Sequence, residues 1–224
     1  MSILVVIPAA GTGSRFGGDI PKQFQMLAGK PLLQHVVERF LHHEDVVRVV
    51  VAVSEELLPV VSQTALDRVQ FVAGGSSRQQ SVTRAFRGAT VDSTLVAIHD
   101  AVRPFFADAT FRNAISAAEE SGAALPALPV ADTIHTVRDG LVDLTLDRST
   151  LVAAQTPQCF RRDVLREILE RAERDGEEGT DEAGLAAKYG VKVRVVPGDS
   201  INFKITKPED LALAETIYGR WAGQ

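Results

Sequence analysis

Runs of β-branched apolar residues alternate with segments of helical period along most of this chain, and that order leaves few folds open. The runs are apolar throughout, so each strand must be covered on both faces, as in a parallel sheet with helices above and below. The expected class is α/β: a doubly wound, mainly parallel sheet. Strands are expected at Ile3–Ile7, Val46–Val53, Val69–Val72, Leu95–Ile98, Ala124–Leu128 and Val191–Val196. Helices are expected to start at Pro31, Ser54, Ser77 and Asp108, residues suited to a cap or a first helical turn. One segment departs from the series: Thr133–Val137 and Leu141–Leu146 flank Asp139-Gly140, a dipeptide that favours a type I′ turn and predicts a β-hairpin.

A length of 224 residues, 45% of them hydrophobic, suits a single domain, 1–224, with a full core. The acidic stretch Arg174–Gly179 reads as a solvated loop between two helices. The formal net charge of -5 speaks against a nucleic-acid partner, which needs a dense basic surface. The apolar run from Ile3 to Ala10 is far short of the roughly 20 residues of a membrane helix, so no membrane is expected. With a single cysteine, Cys159, no internal disulfide can form, and the default expectation is cytoplasmic. The five histidines lack a zinc-like spacing, and His42 and His43 fall where a helix C-terminus favours positive charge.

The chemistry gathers in three loops that follow strands. The first strand runs into Pro8-Ala9-Ala10-Gly11-Thr12-Gly13-Ser14-Arg15-Phe16-Gly17-Gly18, small residues that let a phosphate chain approach backbone N–H groups, or that merely make a tight turn. The glycine spacing is not that of a dinucleotide fold, and no acidic residue lies near position 33; nor does Gly-Lys-Ser/Thr follow, as a P-loop requires. Arg15 and Lys22 bracket the turn, either converging on one polyphosphate or standing as two solvated cations. Gly74–Val82 leaves the third strand and opens a helix. After the fourth strand comes His99-Asp100-Ala101-Val102-Arg103-Pro104, where Asp100 is a candidate ligand of Mg²⁺ and Arg103 of a phosphate, or the two form a local ion pair. Ligands of open α/β sheets bind at such carboxyl-end loops, and the inventory of glycine, hydroxyl, carboxylate and guanidinium groups suits a nucleoside triphosphate.

These segments, and others, carry a resemblance that covers essentially the whole chain. P-A-A-G-x-G-x-R with P-K-Q-F (8–24), G-G-x-x-R-x-x-S-V (74–82), H-D-A-V-R-P (99–104), D-T (132–133), D-R (147–148), T-P-Q (156–158), T-D-E-A (180–183) and K-I-T-K-P-E-D (204–210) closely resemble the 2-C-methyl-D-erythritol 4-phosphate cytidylyltransferases. The resemblance implies a nucleotide-binding, Rossmann-like nucleotidyltransferase domain with a protruding hairpin arm, at about 131–155, that serves dimerisation. It implies that CMP passes from CTP to the polyol phosphate, releasing pyrophosphate, with Mg²⁺ or another divalent cation accompanying CTP. Arg15 and Lys22 would stabilise the transition state; Pro8, Ala9, Ala10, Gly11, Gly13, Gly75, Ser81 and Ala101 would surround the nucleotide. Arg103, Thr133, Arg148, Thr156, Thr180 and Lys204 would hold the polyol phosphate, Arg148 and Lys204 positioning it for attack, with Asp100 close to both substrates. Each arm would complete the site of its partner in a homodimer. Ser76 and Ala131 stand where some members carry an acidic and a basic residue. A sister enzyme acting on ribitol 5-phosphate is the nearest alternative; a dehydrogenase and an inactive nucleotide sensor are more distant ones.

The chain offers no Ser-His-Asp or Cys-His arrangement, and the reaction does not call for one. A phosphate monoester, with a second pKa of about 6, is already mostly dianionic at neutral pH and needs no general base. The obstacle is bringing two anionic phosphates together, and fixed cations remove it.

Overall fold

A computed structural model describes residues 1–11, 16, 20–63 and 67–221. Strand β1 (Ile3–Pro8) is followed by a 3₁₀ turn (Lys22–Phe24) and a small ribbon, β2 (Met26–Leu27) with β3 (Lys30–Pro31). Then come α1 (Leu32–Leu41), β4 (Val46–Val53), α2 (Leu58–Val61), β5 (Val69–Ala73), α3 (Arg78–Gly88), β6 (Leu95–Ile98), α4 (Asp108–Ser121) and β7 (Ala123–Pro129). The hairpin is β8 (His135–Arg138) and β9 (Leu141–Thr145); β10 (Val152–Ala154) and β11 (Gln158–Arg161) return to the main sheet. Helices α5 (Arg162–Asp175) and α6 (Glu182–Lys188), strand β12 (Val193–Pro197) and helix α7 (Pro208–Trp221) complete the described chain.

The main sheet has the order β10-β7-β11-β6-β1-β4-β5, with β12 on the outer edge of β7. β6, β1, β4 and β5 run parallel to one another, β12 runs parallel to β7, and β11 lies antiparallel between β6 and β7. The mainly parallel, doubly wound sheet is therefore as expected. The strand order reverses at β1, whose two neighbours are β6 and β4, and the gap beyond the carboxyl ends there is where such sheets bind ligands.

Covering both faces explains the unbroken apolar runs. Ile3, Val5 and Ile7 pack on one side with Val36, Phe40 and Phe111 from α1 and α4; Leu4 and Val6 pack on the other with Val82, Phe86, Leu165 and Ile168 from α3 and α5. In α5 the buried positions Leu165, Ile168, Leu169 and Ala172 follow the three-and-four spacing of one helical face, and the helix stops at Gly176, at φ 67°. A third cluster joins Leu27, Leu32, Phe105 and Ile205 to Ala214 of α7.

Local departures have local causes. The helix expected from Ser54 begins only at Leu58: Ser54 offers its carbonyl to the amides of Leu57 and Leu58, closing a turn first. Asp108 lies inside α4, Ala107 taking the cap position, and its carboxylate pairs with Arg39 at 3.0 Å. β12 begins at Val193 because Val191 still closes the end of α6, its N–H donating to the carbonyl of Ala186 at 2.9 Å. His43 is buried, and burial pushes its imidazole below the ordinary histidine value, so the charge expected at the helix end is absent there. Ser77 caps α3 as expected, accepting from the N–H of Gln80.

The hairpin stands apart as its own two-stranded sheet. Asp139 (φ 52°) and Gly140 (φ 79°) both take the left-handed backbone of the expected turn. No residue between 131 and 154 is buried, and Val137, Leu141, Val142 and Leu144 are all more than half exposed.

Candidate active site

β1 delivers the first loop to the sheet edge, where the N–H of Ala9 donates to the carbonyl of Ala52 at 2.7 Å. Gln23, nearly fully buried, then pins the loop: its amide nitrogen donates to the carbonyls of Ala9 (2.7 Å) and Gly11 (3.1 Å). Gln23 belongs to the 3₁₀ turn that also carries Lys22, so this contact brings Lys22 to the loop. Gly13 and Arg15 lie outside the described residues. The second loop presses directly on the first. A Cβ on Gly74 would sit 2.3 Å from the Cβ of Ala10, so only glycine permits the approach. Ser81 orders the second loop from within α3, accepting from the N–H of Gly75 at 3.1 Å and donating to the carbonyl of Ser77 at 2.9 Å.

The third loop is fixed through His99, which is wholly buried. Its Nε2 lies 3.0 Å from the carbonyl of Arg103; a carbonyl only accepts, so Nε2 carries the proton and Nδ1 accepts from the Thr156 hydroxyl at 2.9 Å. That hydroxyl oxygen in turn accepts the backbone N–H of Asp100 at 3.1 Å. Burial pushes the His99 imidazole down to about 4, which keeps this neutral relay intact.

Asp100 is the meeting point of three cations. Oδ2 receives Lys204 Nζ at 3.0 Å and Arg103 Nε at 3.1 Å, and Oδ1 lies 3.7 Å from Arg78 Nε. Burial alone would raise the carboxyl; Lys204, Arg78 and Arg103 outweigh it and hold the group well below the usual carboxylate range. The ion pair and the ligand-facing position considered for Asp100 and Arg103 thus coexist.

Two cavities flank this cluster. The larger, about 460 Å³, contains Pro8, Ala9, Ala10, Gly11, Lys22, Gly75, Ser81 and Ala101. The smaller, about 190 Å³, contains Arg103, Thr156 and Thr180. Arg78, Asp100 and Lys204 line both and form the partition between them. Thr133 and Arg148 line neither; they are exposed on the segment around the hairpin, where Arg148 donates to the carbonyl of Ala131.

Several residues at the site carried no assignment from sequence. Arg78 is one, although it lies inside the second motif. Gln155 and Asn202 hold the Lys204 segment: Gln155 donates to the carbonyls of Asp199 (2.7 Å) and Asn202 (3.3 Å), and Asn202 donates to the carbonyl of Thr156 (2.8 Å). Gln158 bridges β11 to the cap of α6 through the Asp181 carboxylate at 2.7 Å. Gln158 and its partner Asp181 stand inside T-P-Q and T-D-E-A, whereas Gln155 and Asn202 lie just outside the motifs, and no sequence pattern shows the contacts they make.

Among the described residues no group of three or more His, Cys, Asp and Glu is gathered to hold a metal ion. A single ionised carboxylate, Asp100, beside a cavity sized for a triphosphate is nonetheless a suitable donor for Mg²⁺, which is usually held by one or two carboxylates together with substrate phosphates.

Residues 3–220 match the family model described as IspD, 2-C-methyl-D-erythritol 4-phosphate cytidylyltransferase. A protein of that name from Acidobacterium capsulatum is 43% identical over 229 residues, covering 96% of each chain. Another from Solibacter usitatus is 42% identical, covering 96% of this chain and 94% of the relative. Among solved structures, the enzyme of that name from Thermus thermophilus superposes with a TM-score of 0.82 at 35% identity, covering 97% of this chain and 98% of the other. The one from Francisella tularensis gives 0.85 at 27% identity, covering 96% and 99%.

Proposed function

The chain belongs to the 2-C-methyl-D-erythritol 4-phosphate cytidylyltransferase family, and from that premise we propose how its two cavities divide the reaction between them. The chain is a cytidylyltransferase that uses CTP and 2-C-methyl-D-erythritol 4-phosphate. CTP takes the larger cavity, with its base and ribose among Ala9, Ala10, Gly75, Ser81 and Ala101 and its phosphates toward Lys22 and Arg15. The acceptor phosphate takes the smaller one, held by Arg103, Thr156, Thr180 and Lys204. The observation that carries this division is the shared partition of Arg78, Asp100 and Lys204, which keeps cationic groups between two anionic substrates.

An oxygen of the acceptor phosphate, already a dianion, attacks the α-phosphorus of CTP. The new P–O bond forms as the bond to the β-phosphate oxygen breaks, and the electron pair leaves with pyrophosphate; no proton need be moved. Lys22 and Arg15 meet the charge that gathers on the transferring phosphorus, while Lys204 aims the attacking phosphate. Asp100 would be the protein ligand of a Mg²⁺ ion bound with the triphosphate, and that ion would supply neutralisation of phosphate charge.

The homodimer belongs to the same proposal. Arg148 and Thr133 do not line the cavities of their own chain and sit beside a hairpin whose apolar side chains are exposed. In a two-fold dimer each arm lies on the partner, covering those side chains and adding Arg148 and Thr133 to the partner's acceptor cavity. The enzyme works in the cytoplasm, in keeping with a lone, buried cysteine. The test is pyrophosphate release from CTP with each polyol phosphate supplied separately. Release with 2-C-methyl-D-erythritol 4-phosphate is expected, and release with ribitol 5-phosphate alone would overturn the assignment of the acceptor.

A further inference from the structure

Glu182 is a carboxylate that no substrate can reach: the residue is 0% exposed. It lies behind the partition, at the first position of α6, where both its oxygens face Arg78 Nη1 at 2.9 and 2.7 Å. Burial pushes the carboxyl up from its ordinary value, against the pull of the Arg78 guanidinium. The other edge of the same guanidinium, Nε, looks toward Asp100. Arg78 is therefore fixed between a hidden carboxylate and the one that lines both cavities.

The next residue of α3 repeats the gesture. Gln79 donates to the carbonyl of Glu177 at 2.9 Å and accepts from the N–H of Gly179 at 2.7 Å, spanning about a hundred positions of sequence. Thus the first turn of α3, which follows the nucleotide loop directly, grips the loop 177–182 that carries Thr180 into the acceptor cavity. Helix α6 has only 7 residues and cannot hold that loop by itself. A buried ion pair is weak evidence of a contribution to stability, because an apolar pair of similar size often serves as well. Its charge matters more for direction: three cations and two carboxylates leave a net positive group with each guanidinium assigned a place. Without Glu182, Arg78 is released to close on Asp100 or on a substrate phosphate.

We propose that Glu182 is a positioning residue for the transfer, holding Arg78 in the partition so that the first turn of α3 fixes the spacing between nucleotide and acceptor. The inference rests on the division of substrates between the cavities given above. Glu182→Gln keeps the shape and removes the charge. Its kcat is expected to fall about 10–100-fold, the scale of a misplacement near 1 Å, with a raised KM for the acceptor. Its dissociation constant for CTP alone, by calorimetry, should stay within about threefold of wild type, since the nucleotide loops are untouched. Arg78→Lys, which keeps the charge but loses the planar fork, should lower kcat to a similar extent and serves if E182Q does not fold. Glu173→Gln is the control, because Glu173 of α5 pairs with Arg87 of α3 at 2.7 Å, away from both cavities; its turnover should match wild type. Wild-type kcat in folded E182Q or R78K, or an equal loss in E173Q, would overturn the inference. A wild-type enzyme that releases no pyrophosphate from CTP with 2-C-methyl-D-erythritol 4-phosphate would instead sink the functional reading.

Discussion

The relay from Asp100 N–H through the Thr156 hydroxyl to His99, and on to the Arg103 carbonyl, works only while the imidazole is neutral. In the unfolded chain a histidine takes up a proton near 6.5, whereas buried His99 does so only at about 4. Between those values the unfolded state binds more protons, so the stability due to this group is complete above pH 6.5 and is lost as pH falls toward 4. The loss amounts to about 3 kcal/mol over the window. Melting temperature measured between pH 6.5 and 4.5 should therefore fall more steeply in wild type than in His99→Asn; equal slopes would remove His99 as the cause. The sequence pointed to Asp100 and Arg103 but was silent on this histidine, because its meaning depends on Thr156, which arrives from 57 positions away. Arg78 and Glu182, separated by 104 positions, were illegible for the same reason.

The parallel strands were easy to read, since burial on both faces demands continuous Val, Ile and Leu. β11 was missed: it is four residues long, antiparallel, and written as Gln158-Cys159-Phe160-Arg161 without a β-branched residue. Glycines in the first two loops admit either a phosphate site or a tight turn, and they do not show the way these two loops touch. Gly74 is the point of contact, and Gly74→Ala places a methyl 2.3 Å from that of Ala10 and 3.0 Å from Ser81 Oγ. Overpacking of this kind costs about 1–3 kcal/mol, and here the yielding parts are the first and second loops at the sheet edge. We expect CTP affinity to fall by about tenfold or more, roughly 1.4 kcal/mol, with a lowered melting temperature. Unchanged CTP binding by calorimetry would mean that the loops part without harm.

For the whole molecule the hairpin decides the most. Lys22 lines its own chain's cavity, while Arg148, beside the arm, lines neither of that chain's two cavities. If arms are exchanged between subunits, Lys22→Ala and Arg148→Ala damage different halves of a shared site. Mixing the two inactive variants in equal amounts makes about half the dimers mixed, each with one intact site of two, so roughly a quarter of wild-type activity should return. Demonstrated subunit exchange without recovery, or a monomer by light scattering, would return Arg148 to its own chain.

The cavities also divide the chain by order of synthesis. Lys204 apart, everything lining the larger cavity comes from residues 8–102, whereas the smaller draws mainly on residues 100–204. A ribosome adding about 5–20 residues each second therefore releases the residues of the larger cavity many seconds before the smaller one can close. The partition is finished last, when Lys204 emerges and α7 seals Ile205 beneath it. A nascent chain cut short before that point holds nearly all the residues that line the larger cavity and lacks the last cation of the partition.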